Sequence, residues 1–153
     1  MASSVPIFCA AAPEDHVWLA HWEKHLWALQ TAGHITIWSE AYILSGQERD
    51  VEVERYLSRA KLVVFLLSAD FFSDHKCLKV LTQALDSARL GHTRIIPLLL
   101  RATILDETAL GGLAYLPTNG RPVANWSNRD DTFQNCVHGL KQVLAEFQSN
   151  DTH

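Results

Sequence analysis

Long apolar runs are missing from this sequence. The longest are about six residues, far below the roughly 20 that a membrane-crossing helix needs, so no membrane span is expected. The opening Met-Ala-Ser-Ser-Val-Pro has no basic stretch and no apolar segment of signal-peptide length, and the expectation is a cytoplasmic protein. Cysteine is scarce. Cys9, Cys77 and Cys136 are odd in number and far apart, which argues against a disulfide framework. Cys9 and Cys136 stand among apolar neighbours and read as buried thiols in a reducing compartment. Basic clusters are absent too. Thirteen Lys and Arg face seventeen Asp and Glu, a formal net charge of −4 that suits solubility and disfavours nucleic acid. Neither G-x-G-x-x-G nor G-x-x-x-x-G-K-[ST] occurs, and the turn after the first apolar run has no glycine, which disfavours phosphate cradling there. No G-x-S-x-G elbow supports a hydrolase. There is no repeat, linker or low-complexity segment.

What is present is one domain's worth of chain. It has 153 residues, 48% of them hydrophobic and 20% charged, enough for a core without metal or disulfide staples. A single domain over 1–153 is expected, with its core at about 5–147 and a frayed polar tail. Short apolar runs alternate with segments of helical period, the pattern of parallel β/α layering. Val5 to Cys9 reads as a strand, followed by Ala10-Ala11-Ala12. Pro13-Glu14-Asp15 opens a helix with its face on Leu19, Trp22, Leu26 and Leu29, and Gly33 closes it. His34 to Trp38 is a second strand, and residues 39–47 are a loop. A helix from about Glu48 to Ala60 follows. Leu62 to Leu67 is continuously apolar, so it is a strand covered on both faces. After a Ser- and Asp-rich loop, 68–74, a helix runs from about His75 to Leu90, with its face on Leu78, Leu81, Leu85 and Ala88. Arg94 to Leu100 is a fourth strand, and Pro97 places it near a sheet edge. Val123 to Trp126 reads as a short fifth strand. Ser127 or Asn128 caps a last helix with its face on Phe133, Val137, Leu140, Leu144 and Phe147.

This pattern predicts a three-layer α/β fold. A five-stranded parallel sheet of flavodoxin-like order 2-1-3-4-5 would carry helices on both faces. Ligands in such folds bind outside the carboxyl ends of the strands, beside the order reversal. That directs attention to residues 10–15, 39–48 and 68–75.

His21 and His25 share a helix face with metal-ligand spacing, but the glutamate of a zinc-protease motif is not beside the first histidine and no third ligand is evident. They read as solvated histidines, and no metal site is expected. Trp22 fits the core stripe of its helix. Trp18 and Trp27 do not, and either partner contact or burial on the flank of the stripe accounts for them. The loop at 39–48 carries Tyr42, Ile43 and Leu44 where polar residues are usual. It either folds back on the domain or protrudes as a contact or ligand-gating loop. Ser73 and Asp74 suit helix capping.

In their order along the chain, several segments resemble the Toll/interleukin-1 receptor (TIR) domain of bacterial type. They are Ile7-Phe8-Cys9-Ala10-Ala11-Ala12-Pro13-Glu14-Asp15, Ile35-Thr36-Ile37-Trp38-Ser39-Glu40, Ile43-Leu44-Ser45-Gly46-Gln47-Glu48, Leu66-Leu67-Ser68-Ala69-Asp70-Phe71-Phe72-Ser73-Asp74 and Arg94-Ile95-Ile96-Pro97-Leu98-Leu99-Leu100-Arg101. Leu116-Pro117 and Trp126-Ser127-Asn128-Arg129-Asp130 extend the resemblance over about 5–147.

The resemblance implies one of two kinds of work. Some such domains assemble with other TIR domains through the loop named BB, here Tyr42, Ile43, Leu44, Ser45, Gly46, Gln47 and Glu48. Others cleave NAD at its glycosidic bond, with a helix-borne glutamate stabilising charge at the anomeric carbon. Ungapped spacing places that glutamate at Val80, and no acid lies between Asp74 and Asp86. Glu40 and Asp74 are the substitute acids to consider. Ala10, Ala11, Trp38, Glu40, Ser68 and Ser73 mark the candidate nucleotide cleft. The expectation is a signalling or antiviral-defence protein that works by homotypic or heterotypic TIR assembly, with a degenerate nucleotide pocket. It requires no cofactor, and NAD enters only as ligand or substrate. The alternative is an NAD glycohydrolase or cyclase using an unusual acid.

Overall fold

The computed structural model describes residues 4–151, with side chains described through residue 147. Four parallel strands form its sheet: β1 (Val5–Ala11), β2 (Ile35–Trp38), β3 (Leu62–Leu67) and β4 (Arg94–Leu99). Their order is β2-β1-β3-β4. The register runs Ile7 to Ile37, Ile7 to Leu62 and Leu62 to Arg94. β1 and β3 are central, and every residue of β3 is buried, as its unbroken apolar composition requires.

Alternate residues of each strand feed two cores. On one face Ile7, Cys9, Leu62, Val64, Ile96 and Leu98 meet helix α1 (His16–His25), with Leu19 and Trp22, and helix α6 (Arg129–Asp151), with Phe133, Cys136 and Leu140. On the other, Phe8, Val63, Phe65 and Ile95 meet helix α3 (Arg49–Arg59), with Val53 and Leu57, and helix α5 (His75–Arg89), with Val80, Leu81 and Ala84. Two further short helices are present, α2 (Trp27–Thr31) and α4 (Ala69–Phe72).

The three-layer class therefore stands, with corrections. The sheet has four strands, not five. Val123–Asn125 forms a 3-10 turn in place of the expected fifth strand. Its link to β4's end is one bond, from Ala124 N–H to Leu100 O at 2.9 Å. The outer edge of β4 is instead met by Leu116, which donates to Pro97 O and accepts from Leu99 N–H. Pro97 sits on this edge strand, where its missing N–H is tolerated. The first helix breaks at Leu26 into α1 and α2. β1 continues through Ala10 and Ala11, which were expected to follow it. The 68–74 segment contains α4, whose capping Ser68 Oγ accepts from Phe71 N–H. The last helix reaches Asp151, and the rest of the expected frayed tail lies outside the described residues. All three cysteines are free and buried. Among the described residues no helix is long and apolar enough to cross a membrane.

Candidate functional site

The carboxyl ends of the strands bring the three loops of interest together. At the junction of β1 and β3, Asp15 and Ser68 are both fully buried. Ser68 Oγ donates to Asp15 Oδ2 at 2.5 Å. Arg101, just past β4, donates through Nε to Asp15 Oδ1 at 3.1 Å and through Nη2 to Asp70 Oδ2 at 2.5 Å. A carboxylate taken out of water needs this kind of charge-assisted partnership. The hydrogen bond with Asp70, then the charge and hydrogen bond of Asp15, push the Arg101 pKa further up and keep the guanidinium charged. At the order reversal this fold thus holds an ionic lock whose polar groups satisfy one another.

The sequence reading did not assign Asp15, Asp70 or Arg101 to a site. The available signals were an acid in the first helical turn and an arginine directly after a buried strand. Their meeting across 86 residues depends on the fold.

The residues proposed from sequence divide. Ala10 and Ala11 are buried strand residues that pack into opposite cores. Trp38 lies against Tyr56 with ring centroids 4.5 Å apart. Glu40 is held by the Arg49 guanidinium. Ser73 Oγ donates to Ala69 O at 2.6 Å. Asp74 accepts from Cys77 N–H at 2.9 Å, and this backbone bond lowers its pKa. Val80 is buried within the apolar cluster under α5. Burial pushes the Cys77 thiol up to about 12, with Asp74 adding to the effect, so it is a poor nucleophile. Chemically, Glu40 and Asp74 each already serve a structural partner.

The 42–48 loop has a different character. A 3-10 turn, Glu40–Tyr42, leads into it. Ile43 folds back as the partly buried anchor. Tyr42 is 49% exposed and Leu44 69%. Leu44 N–H donates to Gln47 Oε1 at 2.8 Å, and Gln47 N–H returns a bond to Leu44 O at 3.0 Å. Gly46 turns the chain at φ +89°, a conformation that other residues adopt only with strain. The base of the loop is therefore folded in and its apolar tip is exposed.

Near Tyr42 lies an incompletely satisfied polar group. Glu23 Oε1 and Ser39 Oγ are buried without hydrogen-bond partners. Burial raises the Glu23 pKa, against the opposing pull of the Ser39 hydroxyl and His16, and its charge helps raise that of Tyr42.

His21 and His25 lie part-exposed on the helix surface, and each has a partner there. His25 Nε2 is 3.1 Å from Asp130 Oδ1, and His21 Nε2 is 3.0 Å from Arg129 Nη1. They fasten α1 to the start of α6. Trp18 is covered by the Arg129 guanidinium at 4.4 Å, whereas Trp27 stays 65% exposed. Among the described residues no group of three or more His, Cys, Asp or Glu is placed to hold a metal.

A parallel sheet with the 2-1-3-4 order and helices on both faces defines a flavodoxin-like α/β domain. A family model described as TIR domain matches residues 7–136, and the chain belongs to this family. It is 25% identical over 124 residues to the uncharacterized protein y4lF of Sinorhizobium fredii, covering 80% of this chain and 38% of that protein. The chain thus spans about two fifths of the curated relative's length. Its fold is similar to the TIR domain of the Toll-related receptor TRR-2 from Hydra magnipapillata, with TM-score 0.63 and 20% identity over 88% of this chain and 97% of that one. It is also similar to the TIR domains of the activated Roq1 resistosome, with TM-score 0.53 and 19% identity over 62% and 57% of the two chains. TIR domains are signalling and assembly modules, and some cleave NAD.

Proposed function

We propose that this chain works in signalling or defence as a TIR assembly module, joining copies of itself or other TIR domains through the 42–48 loop. The carrying observation is the loop's construction. Leu44 is presented to solvent while its backbone is tied to Gln47 and its base is fixed by Ile43 and the Glu40–Arg49 pair. An exposed apolar tip on a braced loop loses little conformational freedom on docking. Its residues match the segment through which assembling members of the family make contact.

The surface at the opposite sheet edge supports a head-to-tail arrangement. A groove of about 690 Å³ runs along β4, between α5 and α6, with Ile95, Leu113, Ala114 and Val143 in its wall. A convex loop beside β2 and a concave apolar groove beside β4 are different surfaces of one chain. Contacts between such surfaces are heterologous and produce rings or filaments. Glu40 and Asp74, the candidate substitute acids for NAD cleavage, are engaged by Arg49 and by the α5 backbone, which favours assembly over cleavage.

Light scattering across a concentration series tests the reading. Wild type is expected to grow in mass with concentration, and Leu44→Asp or Gly46→Arg to remain monomeric while still folded. A monomer at every concentration, or nicotinamide release abolished by Glu40→Gln or Asp74→Asn, would falsify it.

A further inference from the structure

We propose that Arg49 is the positioning residue of the 42–48 loop: its guanidinium holds the loop in the form that docks, a role that rests on the assembly reading. Arg49 is the first residue of α3, and Glu40 opens the 3-10 turn on the other side of the loop. A cation in the first turn of a helix opposes the helix dipole, so helix formation does not account for an arginine there. Its contacts do. Arg49 Nε donates to Glu40 Oε2 at 3.2 Å, and Nη2 donates to Glu40 Oε1. This two-pronged grip belongs to a guanidinium on a carboxylate, and the single ammonium of a lysine does not reproduce it. Both side chains are 29% exposed, so salt and water screen the pair less than one on the open surface.

The loop has few other ties. Among the described residues, the hydrogen bonds of 43–47 run only to Glu40 and to one another: Ile43 N–H donates to Glu40 O, and Leu44 and Gln47 exchange two bonds. Ile43 packs on the core and fixes one point of the loop. The Glu40–Arg49 pair joins the two ends. Two pinned ends and one inner anchor together set where Leu44 points, and a loop held this way loses less freedom on docking.

A second carboxylate touches the same guanidinium. Arg49 Nη1 donates to Asp50 Oδ1 at 3.2 Å, and Asp50 Oδ2 lies 3.7 Å from Lys79 Nζ. The Asp50 side chain is 71% exposed, and ion pairs so open to water contribute little. The partner that matters is therefore Glu40, and the two carboxylates make separate predictions.

Backbone amide NMR order parameters of the full chain, measured where the protein is monomeric, test the proposal. In wild type Leu44, Gly46 and Gln47 are expected near the value of about 0.85 for rigid backbone, and in Arg49→Gln below about 0.6. Val64 in β3 should stay rigid in both, which separates a loosened loop from an unfolded protein. Arg49→Lys should fall between, Asp50→Asn should match wild type, and Glu40→Arg combined with Arg49→Glu should recover most of the order. By light scattering Arg49→Gln should need about tenfold more protein than wild type to reach the same mass, and the reversed pair should regain most of that loss. The proposal is overturned if the loop of Arg49→Gln is as rigid as that of wild type, if the reversed pair is as loose as the single variant, or if the loop loosens while assembly is unchanged. A wild type that stays monomeric overturns the assembly reading, whereas disorder in Arg49→Gln that the reversed pair cures still shows that Arg49 sets the loop.

Discussion

Asp15 shows what a single carboxylate demands of its surroundings. Taken out of water, it requires partners for both oxygens, and Ser68 and Arg101 supply them. Removing the cation leaves a buried charge uncompensated, which is worse than never having built the pair. Arg101→Met is therefore expected to lower unfolding stability by about 2–4 kcal/mol, read from urea denaturation. A loss below about 0.5 kcal/mol, the size of an ordinary surface substitution, would show that the lock does not hold the strand ends. Glu23 is the converse case, a half-buried carboxyl without a full set of partners. Its folded pKa is raised by burial, so the folded state binds the proton more tightly than the unfolded chain. The sign follows from proton linkage. The stabilisation is complete below the ordinary glutamate pKa and is lost as pH rises through the elevated folded value. Glu23→Gln should remove that decline and melt higher than wild type at pH 7. Parallel melting curves of the two proteins from pH 4 to 8 would contradict this account.

At the scale of elements, α5 begins where Asp74 accepts from the Cys77 N–H. Asp74→Ala should cost about 1 kcal/mol, as the loss of an N-cap usually does. Because the Asp74 pKa is lowered, its contribution is present above the ordinary aspartate pKa and lost as pH falls through the lowered value. Thermal melts of the variant at pH 7 and pH 3 check both statements, and an equal difference at both pH values would refute the second. The same helix shows why elements were legible from sequence. Its apolar spacing was visible without any fold, but the face is turned from the expected one: Cys77, Val80, Leu81 and Ala84 are buried, Leu85 and Ala88 pack partly beside them, and Leu78 is exposed. β3 was legible for the opposite reason, since both faces are covered and no polar alternation interrupts it. Val123–Asn125 misled because a short apolar run serves a strand or a 3-10 turn equally well, and the choice lies with distant Leu100 and Leu116. The break at Leu26 was hidden because Leu26 is fully buried and kept the apolar stripe continuous. The exposed loop tip was legible because Tyr42, Ile43 and Leu44 are out of place in a polar turn. The ionic lock was not, because no local pattern ties Asp15 to Arg101. The surface position of His21 and His25 was legible, but their partners Arg129 and Asp130 were not, because these lie near the far end of the chain.

The whole molecule is asymmetric in a way that suits its family. One sheet edge ends in a braced loop with Leu44 at its tip, and the other opens into the groove along β4. The proposed contact joins two different surfaces, so a closed two-fold dimer is not its expected product. A heterologous contact grows until one of its two surfaces is blocked. Sedimentation velocity on two variants, alone and mixed, addresses this most directly. Leu44→Asp removes the loop tip, and Leu113→Asp places a charge at the exposed wall of the groove. Each variant keeps one working surface and is predicted to sediment as a monomer by itself. Mixed in equal amounts, they should form a heterodimer and nothing larger, while wild type at the same concentration forms longer species. If the mixture stays monomeric while wild type assembles, or if either variant assembles alone as wild type does, the loop and the groove are not the two halves of the contact.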